Sequence, residues 1–137
     1  MVVLAVAGAA GFWLVNLAIS LTPLAAEYRA ALSIAYVPMV LEALLGGLII
    51  GVCVSFCLLR FFDRIPANTP MSKSLLLATL GFVIATLALD VPAKFTTGLS
   101  HPMRYFLMSA VINGLRFMAL GAVVGYLYGR LDGRTTT

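Results

Sequence analysis

Gly47-Leu48-Ile49-Ile50-Gly51 and Gly121-Ala122-Val123-Val124-Gly125 stand 74 residues apart and share one pattern, two glycines four apart around three aliphatic residues. Residues at that spacing lie on one face of a helix, and glycines there let a second backbone come close. Working outward, each stretch sits in a long apolar run, and each run is preceded by another. Gly11-Phe12 followed by Leu17-Ala18-Ile19 reads again as Gly81-Phe82 followed by Leu87-Ala88-Leu89, 70 residues on. The chain divides into two halves, residues 1–60 and 75–134, each patterned as a pair of membrane helices. The expected fold class is all-α. It is an integral membrane four-helix bundle of two parallel-repeated helix pairs, related by a pseudo-twofold along the membrane normal. Helix pairs repeated this way keep their orientation, unlike the inverted repeats common in secondary transporters.

Composition agrees. Of the 137 residues, 62% are hydrophobic and 10% charged, whereas a soluble domain carries roughly a quarter charged residues. Such a chain cannot cover its own surface in water, and a single transmembrane domain over residues 1–137 is expected. A hydrocarbon core of about 30 Å needs about 20 helical residues. The expected spans are residues 2–21, 39–59 with a kinked or interfacial lead-in from 30, 75–91 and 105–128. Strand alternation is absent, so the spans read as helices. No Lys or Arg precedes the first apolar run, which reads as a span rather than a cleaved signal peptide.

An even number of spans puts both termini on one side with the loop between spans two and three. That side holds Arg60, Arg64, Lys73, Arg130 and Arg134, and the other holds Arg29, Lys94 and Arg104. The excess places the termini in the cytoplasm and the chain in the cell membrane. The net charge of +4 serves orientation and attraction to anionic headgroups. Its cations are scattered through loops, which speaks against a nucleic-acid partner.

Small residues also suggest how the helices meet. Gly47, Gly51 and Ser55 recur every fourth residue in span two, and Gly121, Gly125 and Gly129 do so in span four. The expectation is that spans two and four meet through these faces near the pseudo-twofold, with spans one and three outside.

Ionisable residues within the apolar runs are the candidates for chemistry. Glu42 and Arg116 each lie about 12 residues into their segments, near the midplane, and the 74-residue offset carries one onto the other. A charge at the bilayer centre costs about 3 kcal/mol on insertion scales, so the two are expected to pair, carboxylate to guanidinium fork. Such a pair either lines an ion, proton or small-anion path or fixes helix register and binds nothing. Asp90, just before Pro92, reads as a rim carboxylate near Lys94 or Arg104. Asn16 and Asn113 read as interhelical hydrogen-bonding residues.

Other features point to structure. Cys53 and Cys57 stand four apart, too far for an unstrained disulfide on one helix, and read as small apolar core residues. The one histidine, His101, lies in the opposite loop, so neither a metal site nor a cofactor is expected. Ser72 reads as the cap of span three and Lys73 as its headgroup anchor. Phe61, Phe62, Tyr105, Tyr126 and Tyr128 suggest an aromatic belt. No nucleophile elbow, phosphate loop or acid pair beside a histidine is present, so no catalytic residue and no enzyme activity is expected.

The Gly47–Gly51 stretch, the basic Arg60-Phe61-Phe62-Asp63-Arg64-Ile65-Pro66, the Lys73 to Gly81 segment and Gly121 to Tyr128 together resemble a pattern in uncharacterised prokaryotic four-helix integral membrane proteins. The resemblance covers about residues 45–130. It implies the fold and assigns no residue a role. The function expected is that of a structural or accessory subunit associating in the lipid bilayer with copies of itself or other membrane subunits. The alternative is a channel or transporter using Glu42 and Arg116.

Overall fold

The computed structural model describes residues 1–135, and the chain is helical throughout its ordered elements. Six helices follow in order: α1 Val2–Ser20, α2 Pro23–Leu32, α3 Tyr36–Phe61, α4 Pro70–Ala85, α5 Val91–Phe95 and α6 Pro102–Thr135. A single π-helical turn, Thr86–Asp90, joins α4 to α5, so residues 70–95 run as one interrupted helix. Among the described residues, four helical stretches are long and apolar enough to cross a membrane: Val2–Ser20, Tyr36–Arg64, Pro70–Phe95 and Pro102–Gly133.

Local chemistry sets the boundaries. Thr22 caps α2 through its hydroxyl, which accepts from the Ala25 amide at 3.3 Å, with Pro23 in the first turn. Thr69 caps α4 in the same way, accepting from the Ser72 amide at 3.1 Å ahead of Pro70. The cap is thus Thr69 and not Ser72, because proline favours the first helical position and the residue before it stays extended. The lead-in to span two is a helix of its own. It ends where Ser33 turns left-handed, with φ of 54°, and the Ile34 amide returns to the Arg29 carbonyl. Pro38 falls in the first turn of α3, where an N–H would have no helical partner anyway, so α3 runs on without interruption. Pro92 acts differently: it has no N–H to give the Ala88 carbonyl, and the helix widens into the π turn just before it.

Around the bundle the helices follow the order α3, α1, α6, α4. Packing is extensive from α3 to α1, α1 to α6 and α6 to α4, and much sparser where α4 closes back on α3. The core lies between α1 and α6. Leu4, Phe12, Phe117, Leu120 and Val124 are buried there, with the Phe12 and Phe117 rings edge-on at 5.7 Å. Gly8 of α1 leaves room for Val124 and Leu120.

The glycine faces do not meet each other as expected. Gly47 and Gly51 lie against Phe12 and the Ala5–Ala9 backbone of α1, while Gly121 and Gly125 lie against Ala78, Ser74 and the Met71 backbone of α4. The α3 and α6 helices touch only sparingly. Helices joined by short connections pack as antiparallel hairpins, and the small residues serve that closest approach within each hairpin. A Cβ placed on Gly129 would stand 3.9 Å from Pro70, so Gly129 is not a position of close approach, whereas Ser55 is fully buried.

At the end opposite α2, the Lys73 ammonium donates to the Phe62 carbonyl and stands 3.7 Å from the Phe62 ring centre. That ring stacks on Tyr128 at 4.9 Å. Lys73 is therefore buried as a clamp on the end of α3 rather than extended as an anchor.

Candidate functional site

A polar cluster occupies the α2 end of the bundle. On α6, Ser109, Asn113 and Arg116 follow at helical spacing and so share a face. The π turn of the neighbouring helix turns Asp90 toward them. Its Oδ1 accepts from the Ser109 hydroxyl at 2.9 Å and from the Lys94 ammonium at 3.0 Å, and its Oδ2 accepts from the Asn113 amide at 3.0 Å. The Asn113 amide nitrogen also donates to Ser109 at 3.2 Å. The Asn113 oxygen, in turn, accepts from Arg116 at 3.2 Å. Asn113 thereby links a carboxylate to a guanidinium without the two touching. Asp90 and Lys94 are both buried, at 8% and 5% exposure, and Lys94 lies over the Tyr28 ring of α2.

Beside this cluster lies a cavity of about 230 Å³ between α1, α2, α3 and α6. Its polar lining comes from Asn16 and Ser20 of α1, Tyr28 and Arg29 of α2, Glu42 of α3, and Asp90, Ser109, Asn113 and Arg116. Asn16 is 0% exposed, and among the described residues neither its amide nitrogen nor its oxygen has a hydrogen-bond partner; the Arg116 Nε has none either. Buried polar groups are nearly always satisfied, and leaving one unmet costs about 1–3 kcal/mol. These atoms therefore mark the cavity as a place for a polar occupant.

Several sequence expectations change here. Glu42 and Arg116 do line one cavity, but among the described residues they form no ion pair within 4 Å. Arg116 turns instead to Asn113 and lies 5.9 Å from the Phe12 ring centre, while Glu42 stays exposed at the cavity edge. The reason is the placement of α3 and α6 on opposite corners of the bundle, so equivalent positions are not neighbours. Asp90 does join Lys94, yet it is the hub of a buried network rather than a rim group in water. Arg104 pairs with Glu27 across the α2–α6 contact. Asn113 bonds between helices as expected; Asn16 does not. Cys53 and Cys57 are free and line an apolar crevice between α3 and α4 rather than the core.

Sequence reasoning missed Ser109 and the central position of Asp90. Two signals were there to find them: Lys94 four residues after Asp90, and the Ser109–Asn113–Arg116 spacing on an otherwise apolar helix. As for metals, among the described residues no three His, Cys, Asp or Glu side chains come together. The Asp90 oxygens are already engaged by three donors.

No family model, no curated protein and no solved structure matches the chain.

Proposed function

We propose that this chain is an integral membrane protein whose cavity takes up a small polar solute, and that it works as a transport component of the cell membrane. The observation that carries this reading is the cavity itself: Glu42 and Arg116 face it without pairing, beside an Asn16 amide with no partner. A purely structural ion pair would close on itself, whereas these groups leave space and unmet hydrogen bonds at a depth where every polar group is costly. A volume of about 230 Å³ is below the range of drug-sized pockets, roughly 300–1,000 Å³, so the solute is small.

Orientation follows from the basic residues. Lys94 is buried against Asp90 and Lys73 against the Phe62 carbonyl, so neither counts much in the charge bias, and the side bearing Arg60, Arg64, Arg130 and Arg134, against Arg29 and Arg104 on the other, faces the cytoplasm. The cavity then opens in the outer half of the membrane. The two helix hairpins form a parallel repeat in this reading, supported by the matching parts played by Gly47 and Gly51 on α1 and by Gly121 and Gly125 on α4. Their unequal seams put one cavity on one side of the pseudo-twofold.

Flux into proteoliposomes loaded with dyes for chloride, protons and potassium tests the reading. Flux of one of them above empty liposomes is expected, falling at least tenfold in Arg116→Gln. Absence of flux for all three would move the chain to the second reading, an accessory subunit packed on copies of itself or on a larger complex. That alternative would seat its partner on the apolar crevice between α3 and α4, about 420 Å³ in volume.

A further inference from the structure

We propose that the occupant of the cavity is a small monovalent anion, of the size of acetate or chloride, held by Arg116 and Asn16. This rests on reading the cavity as a solute site and names the solute's class. The argument starts from charge. Within the buried cluster, Asp90 and Lys94 neutralise each other at 3.0 Å. Arg116 remains, a second cation whose only hydrogen bond to another side chain among the described residues is to the neutral Asn113 oxygen. A guanidinium carries five donors, and here Nε at least is unused. A partly buried cation with spare donors beside a cavity attracts an anion, and the planar fork suits a carboxylate.

The second observation is independent of charge. Asn16 is fully buried in the cavity wall with its amide unpartnered, so an N–H₂ donor is available for the same ligand. Asp90 does not oppose the anion strongly, since three donors already hold its oxygens. Glu42 does oppose it. It is an exposed carboxylate on the same cavity, with no donor of its own to offer. Arg29, also on the cavity lining, lies against the Tyr36 ring and adds a second positive charge on the α2 side. Charges in a water-poor site are weakly screened, so each of these signs is felt by the ligand.

The opposing signs make the test sharp. The full chain in mild detergent is unfolded by heat while its single tryptophan, Trp13, reports. Sodium acetate or sodium chloride replaces sodium gluconate at constant ionic strength, gluconate's five hydroxyls being a poor match to the apolar part of the lining, Ile19, Met39 and Ile112 among it. A saturable rise in Tm is expected, because a ligand that binds the folded state stabilises it by mass action. Arg116→Gln should abolish the rise, Glu42→Gln should lower the half-saturating concentration several-fold, and Arg130→Gln, on the exposed far end of α6, should leave it intact. Asn16→Leu should start at a higher Tm than the parent, since an unmet amide is gone, yet show no response to acetate. If Arg116→Gln does not fold, Asn16→Leu decides.

A flat response in the parent protein, or an equal rise in Arg116→Gln, overturns the anion assignment. Flux of potassium or protons in liposomes together with that flat response would leave the transport reading standing without it. A Tm rise without any flux would do the reverse, keeping the anion site and removing transport.

Discussion

Asp90 accepts three hydrogen bonds while 8% exposed, from Lys94, Ser109 and Asn113. Removing one member of such a buried pair leaves an uncompensated charge, at about 3–5 kcal/mol, whereas removing both is often close to neutral. Asp90→Asn and Lys94→Met should therefore each lower thermal stability sharply, and the double variant should recover most of the loss. A thermal-unfolding double-mutant cycle in detergent checks this, and additive losses would show that the two residues act independently. How much of the site the sequence disclosed is plain at this scale. It singled out Glu42, Asp90, Asn16, Asn113 and Arg116 because ionisable and amide groups are rare in apolar runs. What it could not give was their partners. Partner choice depended on the rotation of α6 and on the π turn at Asp90, neither of which is visible in spacing alone.

At the scale of helices, the hydropathy runs located all four long elements, because bilayer-length apolar runs carry an unambiguous signal. Their ends moved where turn chemistry overrode hydropathy. Ser33 separated α2 from α3, and Thr69-Pro70 started α4 five residues ahead of the apolar run. The small-residue stripes were legible as packing faces, but their partner was the preceding helix of each hairpin, since a stripe says nothing of which neighbour it serves. That assignment makes a prediction. A Cβ at Gly51 would stand 2.6 Å from the Ala5 carbonyl oxygen, and one at Gly125 would stand 2.8 Å from the Met71 Cα. Both obstacles are backbone and cannot rotate away. Gly51→Ala and Gly125→Ala should each destabilise the protein by about 1–3 kcal/mol, as overpacking does. Gly46→Ala meets nothing within 4 Å and should be neutral or slightly stabilising. Thermal unfolding of the three variants side by side reads the contrast.

For the whole molecule, the unequal seams matter most. The α1–α6 seam is filled by Phe12, Phe117, Leu120 and Val124, whereas the α3–α4 seam leaves an apolar crevice bordered by Ile49, Cys53, Leu80 and Ile84. In water such a crevice would demand a partner. In a bilayer it does not, because lipid chains are as apolar as the crevice wall and no hydrophobic gain comes from covering it. Specific helix docking in lipid needs small-residue stripes or polar hydrogen-bonding groups. The stripes on α3 and α6 are already spent inside the hairpins; the crevice offers two thiols and the small residues Gly81, Ala85 and Ala88, of which Gly81 and Ala85 already pack against Phe117 and the core. Acyl chains should therefore fill it. A tryptophan placed at Ile84, exposed at 58%, in a Trp13→Phe background should be strongly quenched by lipids brominated along the chain. A tryptophan at Leu115, exposed at 53% on α6, should be quenched to a similar degree. Protection confined to position 84 would mean that another protein chain covers the crevice, and would favour the accessory-subunit reading. Equal quenching at both positions would leave the α2-end cavity as the feature of this bundle that calls for an occupant other than lipid.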